Sequence, residues 1–213
     1  MALLQTGIAK SAAEDYTIDQ SLRFDDGDTA CLSRTPGSAS DRKTWTWSGW
    51  VKRSDNDYGI LFGAGDTEDI WNSSSMTYLG WTNGGDSFEF YSDGTTIRKT
   101  TQLFRDFSGW GHLVLAVDTT ISSPAGDRTK VYWNGAEITD FSASNDLSED
   151  ELTYVNNTIN HVIGGQQTDV ANSYYDGYLA EVNFIDGQAL DPSSFGETDS
   201  TTNQWKPKEY SGS

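Results

Sequence analysis

The sequence lacks features that define whole classes of protein. Cys31 is the only cysteine in 213 residues, so no internal disulfide holds the fold. Only 14 residues are lysine or arginine against 32 aspartates and glutamates, which gives a formal net charge of −18. Because phosphate backbones and anionic lipids are bound by basic surfaces, this charge excludes nucleic acid and membrane surfaces as partners. No run of about 18 apolar residues occurs, which excludes a transmembrane helix.

Helical periodicity and fixed-length repeats are also nearly absent. The chain consists instead of short β-rich runs separated by turn dipeptides, with Asn-Gly at 83–84 and 134–135 and Asp-Gly at 26–27, 93–94, 176–177 and 186–187. These dipeptides between alternating runs are the strongest local indication of β-hairpins. Strands are predicted over 21–24, 30–33, 44–53, 60–63, 76–81, 88–92, 96–100, 111–117, 129–133, 137–139, 161–163 and 178–185. We therefore predict an all-β fold, a two-sheet antiparallel jelly-roll sandwich.

Aromatic residues make up 13% of the chain, and many of them lie in these runs. In 44–53, Trp45 and Trp47 alternate with polar residues, which predicts that both face the core. Trp110 and Trp133 also lie in strand patterns, so we expect them to pack in the interior.

Six segments, in the same order, resemble the laminin G-like and concanavalin A-like domains. They are the opening hairpin at 22–32 and the segments 44–52, 109–118, 130–135, 163–165 and 177–190. The resemblance implies one jelly roll over residues 21–196, between an N-terminal arm (1–20) and a polar C-terminal tail (197–213).

Two longer stretches also resemble structural proteins of marine bacteriophages: LSRTP…RKTWTWSGWVKR and DGYLAEVNFIDGQALDPSSFGETD…QWKPKEY. That resemblance implies a non-enzymatic protein on the virion surface, either a capsid decoration protein or a component of a tail fibre or appendage. Its expected partners are other virion proteins of the capsid or tail, and copies of itself within the assembly.

The N-terminal arm carries an apolar leader with Leu3, Leu4 and Ile8. We expect this arm to dock on another virion protein or on a symmetry mate. The alternative, an arm folded back onto its own domain, stays open.

Catalysis is not expected. Glycoside hydrolases of this jelly roll carry a Glu-x-Asp-x-x-Glu run on one strand, which places two carboxylates on one sheet face. The only Glu-x-Asp here is Glu197-Thr198-Asp199, and Thr202 stands where the second glutamate is needed. His112 and His161 lie in apolar runs, and we expect both to be packed within strands.

Glycan binding is the main alternative function, as in a lectin-like adhesin that recognises a host surface. Aromatic residues in polar surroundings suit either a sugar platform or a protein contact rich in Tyr and Trp, and packing in the core or within hairpins is the structural alternative. The candidates for glycan contact are Trp71, Trp81, Tyr174 and Tyr175.

No cofactor is expected except a Ca²⁺ ion at the sandwich rim, as in many laminin G-like domains. One candidate cluster is Asp25, Asp26 and Asp28, and the other is Asp66, Glu68 and Asp69. In a chain with 32 acidic residues most such clusters are solvated loops, which is the alternative for both.

Overall fold

The alternating runs form strands packed as two antiparallel sheets, face to face. The computed structural model describes residues 16–65, 75–82, 86–165 and 174–212. Within these ranges the strands, in chain order, are β1 Leu22–Phe24, β2 Leu32–Arg34, β3 Thr44–Arg53, β4 Gly59–Gly65, β5 Met76–Trp81, β6 Ser87–Ser92, β7 Thr95–Leu103, β8 Gly111–Asp118, β9 Thr129–Trp133, β10 Ala136–Glu137, β11 Phe141–Ser144, β12 Asn160–Ile163, β13 Gly177–Asp186, β14 Gly196–Thr198 and β15 Trp205–Pro207. None of the helices in the described ranges is long and apolar enough to cross a membrane.

Strand order differs from chain order, as a jelly roll requires. The six-stranded sheet has the order β1-β13-β3-β8-β9-β10, and the seven-stranded sheet has the order β11-β7-β6-β5-β4-β12-β2. Every strand pair in the two sheets is antiparallel. The predicted all-β sandwich is confirmed.

The core between the sheets is rich in aromatic rings. Trp45 and Trp47 are fully buried on the inner face of β3, as their alternation predicts. Trp45 meets the ring of Phe90 edge-on, with the centroids 6.0 Å apart, and stacks on Phe184 at 5.9 Å. Edge-on and offset contacts of this kind stabilise beyond the area that they bury.

Three short strands lie where the sequence predicts only loops or tail. β11 (Phe141–Ser144) extends the edge of the seven-stranded sheet beside β7, and β14 pairs with β15 in a separate hairpin. The edge strand β11 alternates between half-buried and exposed residues without a strong apolar pattern. Its pairing partner, rather than its own composition, therefore makes it a strand.

The C-terminal residues 192–210, here called the C-terminal strap, cover part of the outer face of the six-stranded sheet. Phe195 from the strap forms a small buried cluster with Val114 and Ile185 of the sheet. Tyr210 packs against this cluster and stacks on Phe195 at 5.1 Å. The six-stranded sheet is therefore buried on its inner face and, over this area, on its outer face.

Candidate functional site

Trp110 is a large aromatic side chain exposed at 40% of its surface. It directly precedes β8, in which Gly111, Leu113 and Leu115 point inward. Successive side chains of a strand alternate between faces, so Trp110 shares the outer face with His112. The expectation that Trp110 packs in the interior is therefore wrong. The space on the inner face opposite Gly111 is taken by Trp133, since a Cβ on Gly111 would lie 1.9 Å from that indole.

A cleft of about 380 Å³ opens beside Trp110 on the outer face of the six-stranded sheet. We call it the Trp110 cleft. Its lining residues come from the N-terminal segment, from strands β3 and β13, from the position before β8 and from the strap: Ile18, Asp19, Gln20, Ser21, Trp50, Trp110, Ala180 and Pro207. Trp110 also makes an edge-on contact with Tyr178, at a centroid distance of 6.4 Å. The cleft thus combines apolar rings with exposed polar side chains, a composition common in binding sites for small ligands.

The floor of the cleft is held rigid by a stack of rings around His112. Trp50 stacks on His112 at 5.1 Å, and Trp205 of the strap stacks on it at 6.0 Å. The Trp205 Nε1–H donates to His112 Nδ1 at 3.1 Å, so the proton of the neutral ring lies on Nε2, which is 2.9 Å from Ser48 Oγ. Burial lowers the pKa of His112 to about 4. This histidine is therefore neutral and structural near pH 7.

His161 is likewise held by hydrogen bonds at both ring nitrogens. Its Nδ1 donates to the Ile159 carbonyl at 2.8 Å, and its Nε2 accepts from the Asn156 backbone N–H at 2.9 Å. Burial is the main cause that lowers its pKa. Both histidines are packed within strands, as the sequence predicts.

Carboxylates surround the N-terminal side of the cleft. The Tyr16 hydroxyl is hydrogen-bonded to Glu181, and desolvation together with Glu181, Glu209 and Asp19 raises the pKa of Tyr16 to about 12. Asp19 itself lines the cleft. This side of the site therefore repels anions and offers hydrogen-bond acceptors.

Three of the predicted glycan contacts are buried and cannot present a ring face to a ligand. Trp81 and Tyr175 are 1% exposed and Tyr174 is 5% exposed. Trp81 lies on the inner face of β5, where it meets Phe88 edge-on. Tyr175 packs on Phe24, and its hydroxyl donates to the Lys52 carbonyl at 2.8 Å. The sequence-based assignment of these three rings to an exposed platform is corrected accordingly.

The Asp25 carboxylate is engaged in local structure rather than in a metal site. Asp25 accepts from the Gly27 backbone N–H at 3.2 Å and from Arg23 at 2.8 Å, and it caps the short 3₁₀ helix Asp26–Asp28. In the part of the chain that the structure describes, no group of three acidic, histidine or cysteine side chains could hold a metal ion. The structure therefore gives no support to a Ca²⁺ site at Asp25, Asp26 and Asp28.

Several predicted residues lie outside the described ranges. They are Leu3, Leu4 and Ile8 of the N-terminal arm, Asp66, Glu68 and Asp69 of the second predicted calcium cluster, and Trp71. Their assignments stay predictions.

Residues 25–194 match the model of the concanavalin A-like lectin/glucanases superfamily. The chain belongs to this family. No curated protein matches the sequence. The predicted laminin G-like, concanavalin A-like fold is thus confirmed over most of the chain.

Solved structures superpose on the chain at low sequence identity. Domains LG4-5 of the mouse laminin α1 chain match with a TM-score of 0.55 and 13% identity, over 91% of this chain and 48% of that one. Domain 4 of AbnA, an extracellular arabinanase from Geobacillus stearothermophilus solved with arabinotriose, matches with a TM-score of 0.50 and 18% identity. The match covers 76% of this chain and 69% of that one. The CBM40 of a Ruminococcus gnavus sialidase, bound to sialyllactose, matches with a TM-score of 0.50 and 13% identity. The match covers 78% of this chain and 95% of that one. At these identities the likeness concerns the fold alone.

Proposed function

We propose that this protein is a non-catalytic carbohydrate-binding module that binds a sugar against Trp110. The observation that carries the proposal is an indole 40% exposed at the wall of a preformed cleft. A sugar ring has an apolar C–H face, which an indole covers, and hydroxyl groups at its edge, which need hydrogen-bond partners. Asp19, Gln20 and Ser21 supply such partners on the same cleft.

The residues around Trp110 form a preorganised site, which favours a role of the exposed indole in ligand binding. Trp50 is buried and held in the ring stack with His112 and Trp205, so the floor of the cleft is rigid before any ligand arrives. A preorganised site loses less conformational entropy on binding. Two relatives in fold, the arabinanase domain and CBM40, are solved with bound sugars, which agrees with the proposal.

The test is a Trp110→Ala variant in a glycan array followed by calorimetry. We expect the affinity for the bound glycan to fall at least about tenfold, equivalent to about 1.4 kcal/mol, because the ring that covers the sugar face is lost. Leu152→Ala is the matched control, since Leu152 is also exposed but lies near Arg42, at the other end of β3. Unchanged affinity in Trp110→Ala would refute the proposed site.

The proposed module needs no bound cofactor. The same binding assay in the presence of EDTA and of added Ca²⁺ tests this point. Equal affinity in both buffers is the expected result, and loss of binding in EDTA would instead favour a calcium-dependent lectin.

We further propose that the module is a component of a phage virion surface, in a capsid decoration, a tail fibre or an appendage. The resemblance to marine bacteriophage structural proteins supports this role, and the acidic surface suits a particle that must stay soluble. In that setting the N-terminal arm with Leu3, Leu4 and Ile8 docks on other capsid or tail proteins or on a second copy. Quantitative mass spectrometry of purified particles, with and without residues 1–20, tests the role. Absence of the protein from particles would reject it.

A further inference from the structure

A second cleft lies beside Trp110, and Trp110 lines both. This cleft, here called the Arg105 cleft, has a volume of about 230 Å³, and its lining includes Gln102, Leu103, Arg105 and Asn134. The Trp110 cleft contains none of these four residues. One exposed indole is therefore the shared wall of two separate depressions.

The Arg105 cleft has its own polar groups, and they are fixed in position. The Arg105 Nε donates to Asp86 Oδ2 at 2.6 Å, while the Arg105 side chain remains 69% exposed. The Asn134 Oδ1 accepts from the His112 backbone N–H at 2.7 Å, which orients the amide. The cleft lining therefore includes two side chains that carry N–H donors, Arg105 and Asn134.

Apolar surface accompanies these donors. Leu103 is 45% exposed, and the half-buried Trp133 packs against the core behind it. The Arg105 cleft thus repeats the combination found in the Trp110 cleft, apolar walls with a few oriented polar groups.

The charges of the two clefts point to an uncharged ligand. In the Arg105 cleft, the positive charges of Arg53 and Arg105 are balanced by the buried Asp86, which lies 3.5 Å and 2.6 Å from them, and by the neighbouring Asp106. The Trp110 cleft carries Asp19, with Glu181 nearby. Neither cleft therefore has the excess positive charge that would favour an acidic sugar.

We infer that the ligand is a neutral oligosaccharide that spans both clefts, with one unit in the Trp110 cleft and the next units continuing past Trp110 into the Arg105 cleft. The inference rests on the proposed function and adds the length and charge class of the glycan. In this arrangement the acceptors near Asp19 and the donors near Arg105 bind different units of one chain.

The experiment measures affinity as a function of chain length. The probes are glucose and arabinose, the tri- and hexasaccharides of the α-glucan, β-glucan and α-arabinan series, and sialyllactose as an acidic probe. We expect a neutral hexasaccharide to bind at least about tenfold more tightly than its own monosaccharide, and sialyllactose to bind more weakly than a neutral trisaccharide. Equal affinity for the monosaccharide and the hexasaccharide would overturn the inference.

A double variant, Gln102→Ala with Leu103→Ala, separates the two clefts. Both side chains are exposed and lie at the end of β7, so the fold is expected to be retained, and the thermal midpoint checks this. We expect the double variant to lose the gain in affinity with chain length while its monosaccharide affinity stays that of the wild type. Trp110→Ala is expected to weaken every probe.

The outcomes distinguish the inference from the function on which it rests. If the affinity depends on Trp110 but does not change with chain length or in the double variant, only the role of the Arg105 cleft in binding is overturned. If no binding depends on Trp110, both the further inference and the proposed function are overturned. Tighter binding of sialyllactose than of every neutral probe overturns the charge assignment.

Discussion

His112 of the six-stranded sheet contacts the C-terminal strap through Nδ1 and Ser48 of the neighbouring strand β3 through Nε2. Nδ1 has to be unprotonated to accept from Trp205, and Nε2 is within hydrogen-bond distance of Ser48 Oγ. A second proton on the ring would replace the acceptor at Nδ1 by a donor that faces another donor. Protonation of His112 therefore breaks the hydrogen bond from Trp205 that holds the strap to the sheet.

Stability is accordingly expected to fall as the pH is lowered from about 6.5 to 4. The unfolded chain binds the His112 proton near the ordinary pKa of 6.5, whereas the folded chain binds it only near 4. The stabilisation is fully present above pH 6.5, and its complete loss amounts to about 3 kcal/mol. Urea unfolding over this pH range measures the effect.

The control for this prediction is His112→Gln, which keeps a donor and an acceptor but does not titrate. Because many carboxylates also titrate in acid, the informative quantity is the difference in pH slope between the two proteins. Parallel slopes would mean that His112 has no part in the acid sensitivity.

The strap fits against the sheet because two glycines leave room for the Trp205 indole. A Cβ on Gly196 would lie 2.5 Å from this ring, and a Cβ on Gly135 would also lie 2.5 Å from it. Gly135 also has φ +81° in the turn after β9, a backbone conformation that glycine adopts without strain. The position of the strap thus depends on small residues in two different elements.

Gly196→Ala is expected to lower the free energy of unfolding by about 1–3 kcal/mol through overpacking against Trp205. In the background of Trp205→Ala the same change should have almost no effect, because the indole that it meets is gone. A double-mutant cycle in urea measures this coupling.

Gly37→Ala is the matched control for Gly196→Ala, because no atom lies within 4 Å of its added Cβ. We expect a change close to zero there. An additive cycle between positions 196 and 205 would contradict the proposed packing.

At the scale of the molecule, three of the 14 lysines and arginines are used inside the fold. Arg53, Arg98 and Arg128 are buried, and each donates to backbone carbonyls, for example Arg53 to Phe104 and Arg128 to Leu147. These bonds tie loops to the ends of the sheets. The surface is therefore even more acidic than the net charge of −18 indicates.

Raising NaCl from about 0.02 M to about 0.5 M is expected to increase the thermal midpoint, because salt screens the repulsion among surface carboxylates. Differential scanning calorimetry at pH 7 measures this. KCl at the same ionic strength should give the same increase, since screening depends on ionic strength. A thermal midpoint that falls with NaCl would show that exposed ion pairs outweigh the repulsion.

Much of the fold could be predicted because it depends on local alternation and on turn chemistry. Trp45 and Trp47 on one face of β3, and the Asn134-Gly135 turn between β9 and β10, follow from the residues themselves. The edge strand β11 and the β14–β15 hairpin could not be predicted, because their own sequences are polar and short. β11 is ordered by its pairing with β7, and the β14–β15 hairpin is ordered by its packing on the six-stranded sheet.

The candidate site, too, has features that follow from the sequence and features that only the tertiary structure shows. The strand period places Trp110 outside, because Leu113 and Leu115 set the inner face of β8, whereas the aromatic pattern alone favours the interior and gives the wrong face. The burial of Trp81 and Tyr175 does not follow from the sequence, because polar neighbours in the chain do not reveal which side chains a distant strand covers. The sequence by itself determined the two-sheet fold, the acidic surface and the missing hydrolase motif, all of which depend on composition and short spacings. Only the tertiary structure decided that residues 18–21, Trp50, Trp110 and Pro207 meet in one cleft, because segments far apart in the chain become neighbours when the sheets assemble.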